Sequence, residues 1–172
     1  MKKERKKSMT VTISESKRKG GKRLNPGKQF EKDFYASVSE KGYLFVYRLK
    51  DDNLGFANVK NPCDFILYKK PNIYLLELKS HKGKSIPFGA IQSYQIESLY
   101  RFSNIDGVKA GFVFNFRDMN ETYFVEAVSV YHFYHERKRK SFSLNWVKEN
   151  GNAISQELKR TRFKYDLGEL LK

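Results

Sequence analysis

The sequence predicts an α/β fold, a mixed central β-sheet with helices on both sides. Two observations carry this. Stretches with apolar residues at helical spacing alternate with short runs of β-branched and aromatic residues. Their order, helix, three strands, helix, two strands, helix, is that of an α/β layer architecture.

The first helix opens at Asn25-Pro26-Gly27 and places Phe30, Phe34 and Val38 on one stripe before ending near Gly42. Asn25 is its expected cap, with Pro26 at the first helical position. Glu31 lies beside Phe30 and borders the apolar stripe, a position also compatible with simple solvation. Strands are expected at Tyr43 to Leu49, Phe65 to Lys69, Ile73 to Lys79, Ala110 to Phe116 and Thr122 to Ala127. The segment from Arg48 to Asp64, with Asp51-Asp52-Asn53 and Asn61-Pro62, reads as a loop or short hairpin.

From Pro87 to Asn104 the pattern is helical again, with Ile91, Leu99 and Phe102 on one face. Gln95 falls four residues from both Ile91 and Leu99, so its amide sits among apolar side chains and needs partners. A helix from about Val128 to Arg139 ends in the basic run Arg137 to Lys140, which fits either the helix dipole or phosphate contact. Its aromatic residues either pack in the core or stack on bases. A short helix at Leu144 to Glu149, a basic stretch at Lys159 to Lys164 and a closing helical turn complete the chain, without internal repeats.

With 172 residues, 40% of them hydrophobic, the chain can bury one real core. Residues 25–172 are expected to form a single domain. The formal net charge is +15, and residues 1–24 carry ten Lys or Arg against Glu4 and Glu15. That stretch has too few apolar residues to pack and is expected to be a disordered basic arm, or simply a solubilising tail. The charge points to a polyanion, nucleic acid first and an acidic membrane surface second. Nothing reaches the length of a transmembrane span, and no apolar run suits a signal peptide. The single Cys63 forms no internal disulfide and fits a reducing cytoplasm. On a strand it points away from Asp64 into the core.

The chemistry concentrates at the second and third strands. A symmetric connection at Lys69-Lys70-Pro71-Asn72 sets Tyr68 opposite Ile73, Ile66 opposite Leu75 and Asp64 opposite Glu77, all on one face. Two facing carboxylates destabilise a sheet unless a cation lies between them or one takes up a proton. Period two adds Lys79 to the same face. The plain alternative is an ordinary Glu77–Lys79 ion pair on an edge strand. The reading with chemical content is a site for phosphodiester hydrolysis, which needs cations to neutralise charge growing on phosphate. Hard carboxylate oxygens suit Mg²⁺ or Mn²⁺, and Lys79 can orient the attacking water or stabilise the transition-state charge. His81 follows on the same face, as a phosphate contact or a surface histidine. His132 and His135 lack partners at zinc spacing.

Asp64, twelve residues, then Glu77-Leu78-Lys79 resembles the PD-(D/E)xK nuclease motif, with Cys63 inserted between Pro62 and the acid. Asn25-Pro26-Gly27 followed by Glu31 resembles the N-x-G-x-x-x-E start of RecU-type Holliday-junction resolvases. Gln95-Ile96-Glu97 resembles their helical Q-I-E. The resemblance continues through Thr122 to Ala127 and Val130 to Tyr134, and covers most of residues 25–166. It implies a restriction-endonuclease-like fold and a homodimer that makes paired, symmetric nicks in a four-way DNA junction with Mg²⁺ at each site. It also implies that Asp64, Glu77 and Gln95 form the metal shell, that Lys79 stabilises the transition state, and that Glu31 binds metal through water or orients a ligand. For Gln95 a core hydrogen bond to backbone remains the plain alternative. Two departures stand out. Pro62 replaces the family's hydroxyl residue before the aspartate, and Arg48 to Asp64 is short for the family's projecting stalk. A compact, phage-encoded member fits both.

The expected DNA contacts are Lys22, Arg23 and Lys28 before and within the first helix, and His81, Lys82 and Lys84 after the third strand. No small-molecule cofactor or membrane is implied. Two other readings stand beside junction resolution: a nuclease of the same fold that cuts flap or duplex DNA, and a non-catalytic basic protein that binds nucleic acid.

Overall fold

The computed structural model describes residues 25–49, 60–136 and 138–171. The expected basic arm with Lys22 and Arg23, residues 50–59 of the loop before Asp64, and Arg137 lie outside the described residues.

Helix α1 (Pro26–Ser39) starts as anticipated: Asn25 Oδ1 accepts the Gly27 N–H at 3.0 Å, and Pro26, which has no N–H to lose, takes the first position. Then follow β1 (Phe45–Arg48), β2 (Phe65–Lys69), β3 (Asn72–His81), β4 (Ser85–Pro87), α2 (Ser93–Ser103), β5 (Val108–Phe116) and β6 (Glu121–Glu126). The chain closes with α3 (Ala127–His135), β7 (Ser141–Ser143), α4 (Leu144–Asn150), β8 (Gly151–Ala153), β9 (Ser155–Lys159) and β10 (Arg162–Asp166).

Among the described residues six strands form one sheet in the order β1-β2-β3-β5-β6-β8. Only β3 and β5 run parallel, so the sheet is mixed, and these two carry the longest apolar runs because both of their faces are buried. The β2–β3 register is the anticipated one, with Tyr68 opposite Ile73 and Ile66 opposite Leu75. On one face Phe65, Leu67, Tyr74, Leu76 and Leu78 pack against Phe30, Phe34 and Val38 of α1. On the other, Phe112, Phe114 and Val125 pack under α2, α3 and α4 through Ile96, Leu99, Val130 and Val147. Among the described residues no helix is long and apolar enough to cross a membrane.

Several boundaries differ from the sequence reading. Pro87 ends β4 rather than starting a helix, because Ile86 is drawn into the core opposite Phe142 in a short pairing with β7, and α2 begins only at Ser93. Helix α3 ends at His135, before the basic run. The basic stretch Lys159 to Lys164 belongs to a β9–β10 hairpin whose charged residues face outward while Tyr165 packs on Phe30 and Phe34.

That hairpin is attached to α1 by side chains that take the place of a neighbouring strand. Asp33 Oδ2 accepts the Phe163 N–H at 3.2 Å, and Ser37 Oγ accepts the Tyr165 N–H at 3.0 Å. The spacing fits because four helical residues rise about 6 Å and two strand residues about 6.7 Å. Asp33 is buried, and its other oxygen accepts from Gln29 Nε2 at 2.7 Å. Asp33→Ala leaves the Phe163 N–H and the Gln29 amide without this partner and is expected to cost about 1–3 kcal/mol in urea denaturation, the usual penalty for unmet polar groups. Unchanged stability would mean that the hairpin is held by Tyr165 packing and the Ser37 hydrogen bond without Asp33.

Candidate active site

Asp64 sits one residue before β2, where the ladder loses its step. Phe65 faces Leu76, and the Asp64 N–H also donates to the Leu76 carbonyl, at 3.0 Å. Two residues against one is the count of a β-bulge, which re-aims a side chain at a strand end. Asp64 Oδ2 accepts the Leu78 N–H at 2.7 Å, so the carboxylate is pinned onto β3 rather than left opposite Glu77 in a regular pair. The same bulge breaks the alternation before it. Cys63 is buried as expected, but among residues of the α2 side such as Ile96 and Phe112 rather than on the opposite face.

Glu77 is 2% exposed and lies on an interior strand with neighbours on both edges, which excludes a solvated edge-strand ion pair. Lys79 Nζ stands 2.7 Å from Glu77 Oε1. Among the described residues Glu77 Oε2 is buried without a hydrogen-bond partner. Burial first and the Asp64 charge second push the Glu77 carboxyl up to about 8, while Lys79 and the Gln95 amide pull the other way. The two neighbouring acids therefore meet the condition set by the sequence: without a cation, burial and the Asp64 charge favour the protonated form of Glu77.

Gln95 lies on α2 at 7% exposure, close enough to Glu77 to act on its ionisation. Its Oε1 accepts the Gln92 N–H at 3.3 Å. The backbone bond that stood as the plain alternative is thus made, with the Gln95 oxygen at the start of its own helix. Glu31 is drawn into an ion pair with Arg48, at the end of β1. Arg48 is opposite Phe65, and the next residue, Leu49, donates its N–H to the Asp64 carbonyl at 2.9 Å. The structure thus brings Asp64, Glu77, Lys79 and Gln95 together, while Glu31 pairs with Arg48 on the α1 face of the sheet.

Lys28, Lys82 and Lys84 are exposed, and His81 is half-buried with Nδ1 2.6 Å from the Lys82 carbonyl. His135 pairs with Glu97 at 2.8 Å. Among the described residues no three His, Cys, Asp or Glu side chains gather to hold a metal, so further ligands to one at Asp64 and Glu77 would come from amide or backbone oxygens. The sequence reading passed over Arg48 and Lys60. Arg48 lies at the expected strand–loop boundary, and its ion pair with Glu31 has no local signal in the sequence. Lys60, which lies over the Tyr94 ring at 5.2 Å beside Gln95, had no local signal. Most aromatic residues of α3 prove to be internal packing: Tyr131 stacks on Tyr100 at 3.8 Å, and Tyr134 lies on Phe88 at 5.0 Å.

The sequence model of the family described as RecU: Recombination protein U matches residues 48–165. The SPbeta prophage-derived uncharacterized protein YotM of Bacillus subtilis (strain 168) is 32% identical, over 86% of this chain and 88% of its own length. Its prophage origin is the setting expected of a compact member. Among solved structures, Hjc of Archaeoglobus fulgidus, a Holliday junction resolvase, superimposes with a TM-score of 0.52 at 18% identity, covering 74% of this chain and 95% of that one. This likeness speaks for the fold.

The raised Glu77 carboxyl has a stability consequence. An unfolded chain loses this proton near pH 4.5, while the fold keeps it to about pH 8. Across that window the folded state binds more protons, so stability falls as pH rises, and the effect levels off above the folded value. With EDTA present, the urea midpoint of the wild type is expected to fall relative to that of Glu77→Gln between pH 5 and pH 8. Parallel midpoints would mean that Glu77 ionises as freely in the fold as in the open chain.

Proposed function

Because the chain belongs to the Recombination protein U family, we propose that it is a divalent-metal-dependent endonuclease that resolves four-way DNA junctions by paired, symmetric nicks, as a homodimer. The observation that carries this reading is the buried Glu77 oxygen without a partner, beside Asp64 and a lysine. A structural acid so deep in a sheet would satisfy both oxygens. An acid kept for a cation leaves one open.

Asp64 and Glu77 fit Mg²⁺ or Mn²⁺ as hard carboxylate donors, and Gln95 would join them by turning its oxygen from Gln92 to the site. When bound, the cation supplies Lewis-acid charge neutralisation at the phosphate and a more acidic water. The protein's own residues do the rest. The Leu78 N–H holds Asp64 in one orientation. Glu77 anchors the Lys79 ammonium at the strand face, where a compact charge can meet an oxygen that is gaining electrons. Glu31 restrains Arg48 at the end of β1, where its guanidinium would serve as a cation for the DNA backbone.

Two symmetric nicks require two sites, and the face that bears the site offers a surface for the second copy. Phe45, Tyr47, Tyr68 and Ile73 lie on that face, on three adjacent strands, exposed to 58, 55, 44 and 40%. Large apolar side chains in such a row are more than a lone exposed residue. This apolar row is the proposed dimer contact.

A mobile four-way junction with Mg²⁺ should give two nicks at symmetric positions, with flap and linear duplex cut more slowly at the same salt concentration. Asp64→Asn is expected to lower cleavage by at least about 100-fold, the upper range for loss of even an outer metal partner, while metal-free binding holds or tightens as a negative charge is removed. Phe45→Glu combined with Tyr47→Glu should convert paired nicks into single, uncoupled ones. Full cleavage by Asp64→Asn would refute the site, and preference for flap or duplex would replace the junction with that substrate.

A further inference from the structure

Beyond the catalytic rim, a second concave site lies where β7 runs into α4. A cavity of about 400 Å³ opens there, with Phe133, Arg139, Ser143, Asn145, Trp146 and Glu149 among its walls. Trp146 and Phe133 form an aromatic wall, their ring centroids 4.3 Å apart and 28° from parallel. Both rings are only half-buried. Their positions are fixed from behind, since Leu144 and Val147 anchor α4 in the core and the Trp146 N–H donates to Ser143 Oγ at 3.2 Å.

The polar side chains of the wall identify a ligand class. Arg139, Asn145 and Glu149 are all exposed, so their polar ends are open to a bound molecule. A phosphate seated in this cavity would meet the Glu149 carboxylate. The edge of a nucleobase has no such conflict, because its ring and amino N–H groups donate to a carboxylate and its acceptors take an amide N–H. An aromatic face, an amide and a carboxylate together suit a base that has left its stack, with nearby cations for its phosphodiester.

The cavity is also continuous with the catalytic strand. Ser143 in its wall pairs with Ser85, and Leu144 N–H donates to the Lys84 carbonyl at 2.8 Å. The chain from Lys79 to Ser85 thus runs from the proposed active site to the cavity, past His81 and the exposed Lys82 and Lys84. Lys138, Arg139 and Lys140, also exposed, flank it from the other side, with the Lys140 carbonyl bonded to Phe88 N–H at 3.0 Å. Two cationic segments that are remote in sequence converge where a strand leaving the rim would pass.

We propose that this cavity binds an unstacked nucleobase of single-stranded DNA, holding the strand that departs from the catalytic rim. The proposal rests on the reading of the chain as a DNA nuclease, but its test needs no cleavage. Trp146 is the only tryptophan of the chain, so its emission reports this cavity alone. In EDTA, a mixed-sequence single-stranded oligonucleotide should change that emission saturably. An abasic oligonucleotide of the same length should bind through its phosphates and leave the emission unmoved. Trp146→Ala is expected to weaken binding of the base-bearing oligonucleotide by at least about 5-fold, the lower end for loss of a base-stacking ring. Asn145→Ala combined with Glu149→Ala, both exposed, should weaken it likewise with an unchanged thermal midpoint, which guards against a Trp146 variant that is merely misfolded. Equal emission changes with the two oligonucleotides, no change with either, or wild-type binding by the double variant would overturn the proposal. An Asp64→Asn protein that keeps the emission change retains this site whatever becomes of the proposed catalysis.

Discussion

The burial of Glu77 beside Asp64 is the constraint on which the rest of the structure depends. A carboxylate at that depth is held only if its environment compensates, and the compensation comes from different parts of the chain: Lys79 two residues on, the Gln95 amide from α2, and a proton. Asp64 in turn is fixed by the Leu78 N–H, which the bulge at the end of β2 leaves within its reach. Asp64, Glu77 and Lys79 are thus all tied to β3, while the Gln95 amide is bonded to the start of its own helix. The site is therefore as rigid as the central sheet that carries it.

That rigidity has a clear origin in the fold. Glu77 and Lys79 alternate with Leu76 and Leu78, whose side chains are locked under α1, so the strand cannot rotate its polar face out of place. On the other side β5 runs parallel to β3 along its whole described length, with Glu77 beside Phe112 and Lys79 beside Phe114. Apart from Gln95 of α2 and Glu31 of α1, the helices and the β9–β10 hairpin do not contribute chemistry directly. They bury the opposite faces of the strands that do, and through Asp33 and Ser37 the hairpin is bonded to the helix that also presents Glu31.

Much of this was legible in the sequence because its signals are local. The register of the β2–β3 hairpin follows from period two and a proline-containing turn, and it puts Glu77 and Lys79 on one face with Ile66 and Tyr68 before any tertiary contact is known, although the expected Asp64–Glu77 pair gives way to the bulge. The amide of Gln95 among apolar neighbours pointed to a buried polar group, and it is one. What was not legible depends on contacts between distant segments. The pairing of β4 with β7 joins residues near 86 to residues near 142 through three pairs only, too few to leave a periodic trace. The β9–β10 hairpin is masked by its outward charges, and its inner residues Phe163 and Tyr165 gain meaning only against α1. The bulge that turned Cys63 to the α2 side is a tertiary adjustment to the Asp64 hydrogen bond with β3.

The central claim is that Asp64 and Glu77 are kept together for a divalent cation. The most direct measurement is a Mn²⁺ titration followed by electron paramagnetic resonance, which reads free ion in the absence of DNA and of cleavage. Wild-type protein should remove the free-ion signal saturably, and Asp64→Asn and Glu77→Gln should each abolish that uptake while remaining folded. Equal uptake by the wild type and both variants, or none by any of them, would contradict the account and leave Glu77 as a buried acid stabilised by its proton and its lysine alone.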